Sequence, residues 1–358
     1  MNYKILDLFS GAGGFSKGFD SVEGFTTVLA LDFNKSALET FKHNFPDADT
    51  IHGDITSDDI KKSVVELAKK KKVNMIIGGP PCQGFSNKGK KLGLADPRNF
   101  LFLEYLNIVE LLKPELFVIE NVKSILSAAD GFFIKQIKQK VNELGYIIDY
   151  KVLTASNFGV PQNRERAIII ASKTKKIKLP EKSTEKIETV RDAISDLSYL
   201  ESNEGQEVST YRLSPESTYQ IRMRANSKGQ LYNHVATNHS DIAIKKLKMI
   251  PPEKGKEYLP KELLGKQKFK TTWSRLVWDE PSPTIDTRFD TPSNGKNSHP
   301  FLNRAITPRE AARIQSFPDD FIFKGNKTEI TKQIGNAVPP LMAEEIAKYI
   351  KRQVNINE

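Results

Sequence analysis

Short apolar runs alternate with amphipathic stretches along the first 172 residues. In the amphipathic stretch 35–45, apolar residues at intervals of three and four share one helical face: Ala37, Leu38, Phe41 and Phe45. The runs between such stretches are short and rich in β-branched or other apolar residues: 5–9, 73–77, 116–122, 147–153 and 167–171. This repeated alternation predicts a twisted, mostly parallel sheet covered by helices on both faces.

The apolar period weakens after residue 172 and returns at 341–350. The intervening segment is rich in Lys, Ser, Thr and Pro, with a β-prone piece at 271–278 and helical stripes at 190–200 and 242–250. We therefore predict an α/β domain formed by residues 1–172 plus 329–358. A smaller, mostly β or irregular domain is expected as an insertion at 173–328.

The composition is that of an ordinary globular protein, with 38% hydrophobic and 27% charged residues. The amino-terminal sequence MNYKILDLFSG lacks the basic and apolar regions of a signal peptide, and no apolar run approaches the length of a membrane span. We therefore expect a cytoplasmic protein. The only cysteine, Cys82, excludes an intramolecular disulfide and a zinc site built from several cysteines.

Positive charge is concentrated in the inserted segment. The chain has a net charge of +10, and residues 173–300 hold 23 basic against 17 acidic side chains. This excess is compatible with a nucleic-acid partner but does not indicate one by itself.

The sequence GGPPCQGFS at 78–86 places Cys82 in a loop directly after the apolar run 73–77. Open α/β sheets carry their chemistry in loops at the carboxyl ends of strands, so the pattern favours a thiol in a cleft. The alternative is a small buried core cysteine, which is the commoner fate of a lone cysteine. Pro80, Pro81 and Gly84 weaken that alternative, because packing alone does not require them.

A glycine-rich loop, SGAGG at 10–14, follows the first predicted strand, and Asp32 ends the next one. The glycines allow close approach of the backbone to a ligand, and an acid at this distance downstream is typical of a ribose-binding carboxylate. The loop is not the GxGxxG of dinucleotide enzymes. A tight turn without a ligand remains the alternative.

Taken together, the chain resembles the cytosine-5 DNA methyltransferases of bacterial restriction-modification systems. The resemblance rests on ordered motifs that cover nearly all of the sequence: DLFSGAGGF at 7–15, GDI at 53–55, GGPPCQGFS at 78–86, ENV at 120–122, QNRER at 162–166, RAITPREAARIQSFPDDF at 304–321 and QIGNAVPP at 333–340. One departure is Asp32, where the family more often has Glu. Asp still offers two acceptor oxygens to ribose hydroxyls.

The resemblance implies a Rossmann-like S-adenosylmethionine-dependent methyltransferase sheet and a target-recognition domain at 173–328. The implied cofactor is S-adenosylmethionine, with S-adenosylhomocysteine as product and no metal. The residues implied to bind it are Phe9, Gly11, Gly13, Asp32, Phe33, Asp54, Ile55, Gly79, Leu101, Asn336 and Ala337.

The resemblance also implies how a cytosine is methylated. The Cys82 thiolate adds to carbon 6 of the base, and the Glu120 carboxyl group assists at ring nitrogen 3. Arg166 is expected to reach oxygen 2, with Arg164 helping to fix the same pocket, and Asn121 is expected to brace the loop. Without the resemblance, Glu120 reads as a helix cap or surface acid, and the arginines as a surface charge cluster.

The implied partner is double-stranded DNA, from which the target base must be extruded. Ser86 and Arg98, in the loop at 83–99, and Thr284, next to Ile285, are the expected contacts to the DNA backbone. We infer no obligate protein partner. The resemblance associates the chain with a restriction endonuclease that acts on the same DNA site.

Two other functions are compatible with parts of the sequence. A tRNA cytosine-5 methyltransferase of the related type would carry a Cys-Phe-Thr tripeptide, but the single cysteine here is followed by Gln83. A catalytically silent DNA-binding relative would be expected to lack the thiol or the acid, and both are present.

Overall fold

The computed structural model describes residues 2–81, 100–184, 186–265 and 270–354. The chain divides into two compact units. The first comprises Met1–Phe158, Glu165–Ser183 and Pro340–Glu358, and the second comprises Gly159–Arg164 and Thr184–Pro339. The predicted domain boundaries after 172 and 328 each lie 11 residues ahead of the divisions after 183 and 339. The segment 159–164, expected in the first domain, belongs to the second unit.

Strands and helices are numbered along the chain. The strands are β1 (Tyr3–Leu8), β2 (Phe25–Asp32), β3 (Asp49–His52), β4 (Met75–Gly78), β5 (Leu116–Val122), β6 (Ile147–Thr154), β7 (Gln162–Asn163), β8 (Glu165–Ser172), β9 (Gly205–Thr210), β10 (Gln230–Val235) and β11 (Ser282–Pro283). The helices are α1 (Gly14–Asp20), α2 (Lys35–Asn44), α3 (Asp58–Lys71), α4 (Leu101–Leu112), α5 (Ala128–Glu143), α6 (Val190–Ile194), α7 (Thr218–Arg224), α8 (Asp241–Met249), α9 (Lys261–Leu264), α10 (Pro308–Ile314), α11 (Lys327–Asn336) and α12 (Pro340–Val354).

The first unit is built on a seven-stranded sheet of order β3-β2-β1-β4-β5-β8-β6. Strands β1 to β5 run parallel, whereas β8 is antiparallel to both β5 and β6. The predicted α/β fold is therefore confirmed, with a mixed sheet. The central strands β1, β4 and β5 are buried along nearly their whole length, as expected for a sheet with helices on both sides.

The register brings the carboxyl ends of four strands to one edge of this sheet. Leu8 of β1 pairs with Gly78 of β4 and Leu31 of β2, and Gly78 pairs with Ile119 of β5. Because β8 runs in the opposite direction, its beginning lies at the same edge, where Arg166 pairs with Val122. Loops at such an edge are where open α/β sheets bind ligands.

The terminal helix α12 packs closely on α1 within the first unit. A Cβ atom at Gly18 would lie 2.4 Å from the Cβ of Ala343 and 2.3 Å from the carbonyl oxygen of Pro340. Only glycine permits this approach. Within the part of the chain that the structure describes, no helix has the length and apolarity required to cross a membrane.

The second unit contains short helices, the antiparallel pair β9/β10 and the short parallel pair β7/β11. It has less β structure than predicted, and the β-prone piece 271–278 does not form a strand. Trp273 there has a φ of 63°, which is incompatible with a regular strand. The Arg275 guanidinium instead donates to the carbonyls of Leu247 (2.8 Å) and His299 (3.0 Å), so side-chain bonds hold the segment in place of a strand ladder.

Candidate active site

The glycine-rich loop after β1 is shaped by left-handed backbone. Phe9, Gly11 and Gly13 have φ values of 59°, 53° and 96°. A Cβ atom at Gly13 would lie 2.5 Å from the Phe45 ring, whereas one at Gly11 would meet nothing within 4 Å. Gly13 is thus required by packing, and Gly11 faces open space in which a ligand could approach the backbone.

Asp32 at the end of β2 holds this loop through hydrogen bonds. The Gly11 N–H donates to Asp32 Oδ2 at 2.8 Å, and the Asn34 N–H donates to Oδ1 at 2.8 Å. Burial raises the pKa of Asp32, and these donors act against that rise. Since each carboxylate oxygen accepts more than one hydrogen bond, the side chain can hold the loop and still bind a hydroxyl group.

The surroundings of this loop fit an adenosine-containing cofactor. The Phe33 side chain is 71% exposed, which leaves its ring available for stacking on a base. Asp54 is exposed and accepts the Thr56 N–H at 2.9 Å, while neighbouring Ile55 is buried. The Ser10 hydroxyl is buried and has no hydrogen-bond partner among the described residues, so it is open to a polar group of a ligand.

The segment that leads to Cys82 is braced from β5. The Asn121 side chain donates to the Pro80 carbonyl at 2.7 Å, which confirms the bracing role expected of it. A Cβ atom at Gly79 would lie 3.0 Å from Glu120 Oε2, so a larger residue there would crowd the carboxylate. Cys82, Ser86 and Arg98 lie outside the described residues.

Glu120 and Arg166 form an ion pair at the edge of the sheet. Arg166 Nε lies 2.8 Å from Glu120 Oε1, and the two side chains remain 14% and 11% exposed. Arg166 also donates to the Glu165 carbonyl at 2.8 Å. The pair is therefore held at one carboxylate oxygen while retaining access to solvent.

Arg164 occupies a different environment, although it is two residues from Arg166. Its guanidinium is buried in the second unit, where it donates to the carbonyls of Ile285 (3.3 Å) and Gly335 (3.1 Å). The structure thus shows Arg164 joining main-chain segments. Its expected place in the base pocket remains a prediction.

Three further expected site residues also lie in the second unit. Thr284 is exposed, and its hydroxyl donates to the Asn163 carbonyl at 3.0 Å. Asn336 ends α11 and is exposed, and Ala337, which caps that helix, is half-buried. Leu101, by contrast, begins α4 in the first unit. Among the described residues, no group of three His, Cys, Asp or Glu side chains could hold a metal ion.

Two buried polar residues, one in each unit, were not predicted from the sequence. Asp7 of β1 accepts the Ser16 hydroxyl at 2.6 Å, and burial raises its pKa to about 8. Gln162 of β7 is fully buried and bonded on both sides of its amide. Both stand in quoted motifs, at their first positions, and that is the only signal in the sequence that could have identified them.

The comparisons with known proteins agree over nearly the full length. The sequence matches the family model of C-5 cytosine-specific DNA methylases over residues 3–352. It is 36% identical to Type II methyltransferase M1.HphI of Haemophilus parahaemolyticus, with 100% of this chain and 89% of the relative covered. It is also 36% identical to Type II methyltransferase M.DdeI of Desulfomicrobium norvegicum, with 97% and 88% covered.

A solved structure shows the same fold. It is the crystal structure of a proposed DNA modification methyltransferase encoded within a prophage of E. coli, with 27% sequence identity and a TM-score of 0.79. The similarity covers 99% of this chain and 100% of the other.

Proposed function

The chain belongs to the family of C-5 cytosine-specific DNA methylases and is a DNA cytosine-5 methyltransferase; from this premise we propose that it acts through a covalent adduct of Cys82. The proposed target is one cytosine, swung out of a short specific sequence of double-stranded DNA. The observation that carries the proposal is the Glu120–Arg166 pair, which lies beside the braced backbone leading directly to Cys82.

Cys82 is the proposed nucleophile. Carbon 5 of cytosine is a poor nucleophile until a group adds at carbon 6 and turns the ring into an enamine. A thiolate suits this addition, and Cys82 is the only thiol in the chain. An ordinary cysteine has a pKa of about 8.5, so positive charge nearby or proton transfer on approach of the base must favour the thiolate.

Glu120 is the proposed partner of ring nitrogen 3. The Arg166 bond fixes one carboxyl oxygen, and Gly79 leaves room beside the other. A proton shared between that second oxygen and nitrogen 3 withdraws electron density from the ring and eases attack at carbon 6. The same group can accept from the exocyclic amine, which distinguishes cytosine from thymine. Arg166 is proposed to reach oxygen 2 of the base.

S-adenosylmethionine, when bound, supplies the methyl group for carbon 5. We propose that the loop of Gly11 and Gly13 and the side chains of Asp32, Phe33 and Asp54 hold this cofactor. Asp32 would accept from ribose hydroxyls, and Phe33 would stack on the adenine. After methyl transfer a base removes the proton at carbon 5 and the Cys82 thiolate is eliminated.

DNA binding requires extrusion of the base, at a cost of a few kcal/mol in lost stacking and pairing. Ser86, Arg98 and Thr284 are the proposed backbone contacts, and such contacts position the protein without reading sequence. The Thr284 hydroxyl proton already points to Asn163, so a phosphate contact requires it to turn. We further propose a bacterial cytoplasmic enzyme that protects DNA from an endonuclease cutting the same site.

The proposal is tested by expressing the chain in a host without DNA methylation and mapping 5-methylcytosine across its DNA. A single short methylated motif is the expected result. Bare DNA together with methylated tRNA would contradict it and favour the RNA-modifying alternative. The variant Cys82→Ala should bind S-adenosylhomocysteine with unchanged affinity and have no turnover, and measurable turnover would contradict covalent catalysis.

A further inference from the structure

A buried glutamine joins two strands of the second unit. Gln162 of β7 lies opposite Ser282 of β11, and the Ile285 N–H donates to Gln162 Oε1 at 2.8 Å. Thr284, between these two positions, donates its hydroxyl proton to the Asn163 carbonyl. The segment that contains Thr284 is thus held along its length by 162–163.

The other end of the same amide continues the connection. Gln162 Nε2 donates to Gln315 Oε1 at 2.8 Å, and Gln315 Nε2 donates to the Ile334 carbonyl at 2.7 Å. Because the Ile285 N–H can donate only to an oxygen, the direction of both amides follows from the network. Both glutamine side chains are fully buried.

Arg164 makes a second connection between the same segments. It donates to the carbonyls of Ile285 and Gly335. The backbones of Gly335 and Asp286 are also in contact, since a Cβ atom at Gly335 would lie 2.5 Å from the carbonyl carbon of Asp286. A displacement of 284–286 therefore breaks buried hydrogen bonds unless 334–336 moves with it, and buried amides are costly to leave unpaired.

We propose that Gln162 and Arg164 are positioning residues that couple DNA binding to cofactor binding. The inference rests on the proposed function, in which Thr284 contacts DNA, and on the family resemblance, which implies that Asn336 and Ala337 contact the cofactor. Thr284 precedes Ile285, and Asn336 follows Gly335, so each binding residue is adjacent to a residue of the buried network. When DNA orders 284–286, or the cofactor orders 334–336, these bonds restrict the motion of the other segment as well.

The coupling is measured as a ratio of DNA affinities. The probe is a labelled duplex carrying the sequence that the wild-type enzyme methylates, titrated with the full chain with and without saturating S-adenosylhomocysteine. We expect the cofactor product to tighten wild-type DNA binding by at least about fivefold, the lower end of typical allosteric coupling. In Gln162→Met the ratio should fall below about twofold, because the shape is kept and the amide bonds are lost.

The matched control is Gln220→Met. Gln220 is also fully buried in the second unit, and its amide donates to Ser195 Oγ at 2.7 Å and to the Arg191 carbonyl at 3.2 Å. Among the described residues, its side chain forms no hydrogen bond to 284–286 or 334–336. This variant should retain the wild-type ratio. Retained coupling in Gln162→Met, or equal loss in both variants, would overturn the inference. A wild-type enzyme that methylates DNA without any coupling would overturn it too, while the proposed function would stand.

A measurement on the wild-type chain covers the case in which Gln162→Met does not fold. S-adenosylhomocysteine alone, without DNA, should slow amide hydrogen exchange of the Ile285 N–H, which is bonded to Gln162. The peptide 205–210, in β9, should be unaffected. Unchanged exchange at Ile285 under saturating S-adenosylhomocysteine would contradict the coupling.

Discussion

Two buried aspartates, one in each unit, have opposite pKa shifts. Asp7 in the first unit has the Ser16 hydroxyl as its hydrogen-bond donor, and burial raises its pKa to about 8. Asp319 in the second unit is equally buried, but Arg313 donates to both of its oxygens, at 2.9 and 2.7 Å. The opposing effect of that guanidinium outweighs burial and lowers the pKa of Asp319. The difference between the two pKa shifts therefore follows from the presence of a cationic partner, since both carboxyl groups are buried.

The same contrast separates the ion pairs of the two units. In the second unit, Arg313 binds Asp196 as well as Asp319, and Arg304 makes two 2.7 Å bonds to Glu310. These pairs are fully buried. In the first unit, Arg166 bonds one oxygen of Glu120 and both side chains reach solvent. We infer that the fold depends on both partners of each fully buried pair, since loss of one leaves the other charge buried and unpaired, while the partly exposed pair at a strand end is available for chemistry.

The largest effect is expected from Glu120→Gln. An amide keeps the shape but cannot exchange a proton with ring nitrogen 3, so turnover should fall by about 10²–10⁴-fold. The free energy of unfolding should change by less than about 1 kcal/mol, because the pair is partly solvated. Single-turnover methylation and denaturant unfolding measure the two quantities. If Glu120→Gln kept wild-type turnover or lost much stability, the Glu120–Arg166 pair would not have the catalytic role that sets it apart from the buried pairs of the second unit.

The opposite result is expected from Arg313→Met. Removing the guanidinium leaves Asp196 and Asp319 buried without their common cation, which should lower the free energy of unfolding by about 3–5 kcal/mol. The matched control is Arg166→Met, which should lose turnover and keep its stability. Equal destabilisation in both variants would show that the buried pairs of Arg313 and the partly exposed pair of Arg166 do not differ in role.

The pH dependence of stability tests Asp7. Its pKa is raised on folding from an ordinary value near 3.8 to about 8, so the folded state holds a proton that the unfolded state releases. The contribution of Asp7 to the free energy of unfolding is fully present below pH 3.8 and is lost as the pH rises towards 8. The free energy of unfolding falls by at most about 1.4 kcal/mol per pH unit from this group. Asp20, whose pKa is raised by burial to about 6, contributes in the same direction.

In Asp7→Asn the loss of stability between pH 5 and pH 7 should be smaller than in the wild type. Asp319 has the opposite sign, since its lowered pKa contributes stability that is lost only as pH falls below the ordinary range of a carboxyl group. Thermal unfolding at several pH values measures both trends. An unaltered slope in Asp7→Asn would show that Asp7 is charged when folded.

The smallest effect is expected from Thr284→Val. The hydroxyl is exposed and donates to the Asn163 carbonyl at 3.0 Å, and loss of its proposed phosphate contact should weaken DNA binding by about 2–12-fold, equivalent to about 0.5–1.5 kcal/mol. The loss should be similar for target and unrelated duplexes, because a backbone contact carries no sequence information. Titration of both duplexes tests this. A changed target preference would place Thr284 among the base-reading residues instead.

The elements of the first unit could be predicted from local patterns. The apolar run 116–122 predicted β5 with the bounds that the structure has, and the amphipathic stretch 35–45 predicted α2 to within one residue. Residues at or near the ends of such runs, including Asp32, Gly79 and Glu120, were therefore found near strand ends. Buried strands and helix faces can be recognised from a short stretch of sequence, because their apolar period does not depend on distant residues.

The second unit could not be predicted in the same way. Arg313 appears polar in any hydrophobic pattern, yet it is fully buried, and one of its partners, Asp196, lies 117 residues away. Arg275 likewise replaces an expected strand by bonds to distant carbonyls. Arg164 and Arg166 are neighbours in one motif but bond into different units. Charge satisfied by long-range partners leaves no local signal in a single sequence.

The central claim is the bond between Cys82 and carbon 6 of cytosine, and a fluorinated substrate tests it most directly. In a duplex whose target cytosine carries fluorine at carbon 5, the adduct cannot be resolved after methyl transfer, because fluorine does not leave as a cation. With S-adenosylmethionine present, the account predicts a stable protein–DNA complex whose modified peptide contains Cys82, and none with Cys82→Ala. Methylation of the ordinary duplex without trapping on the fluorinated one, or an adduct on another residue, would contradict it.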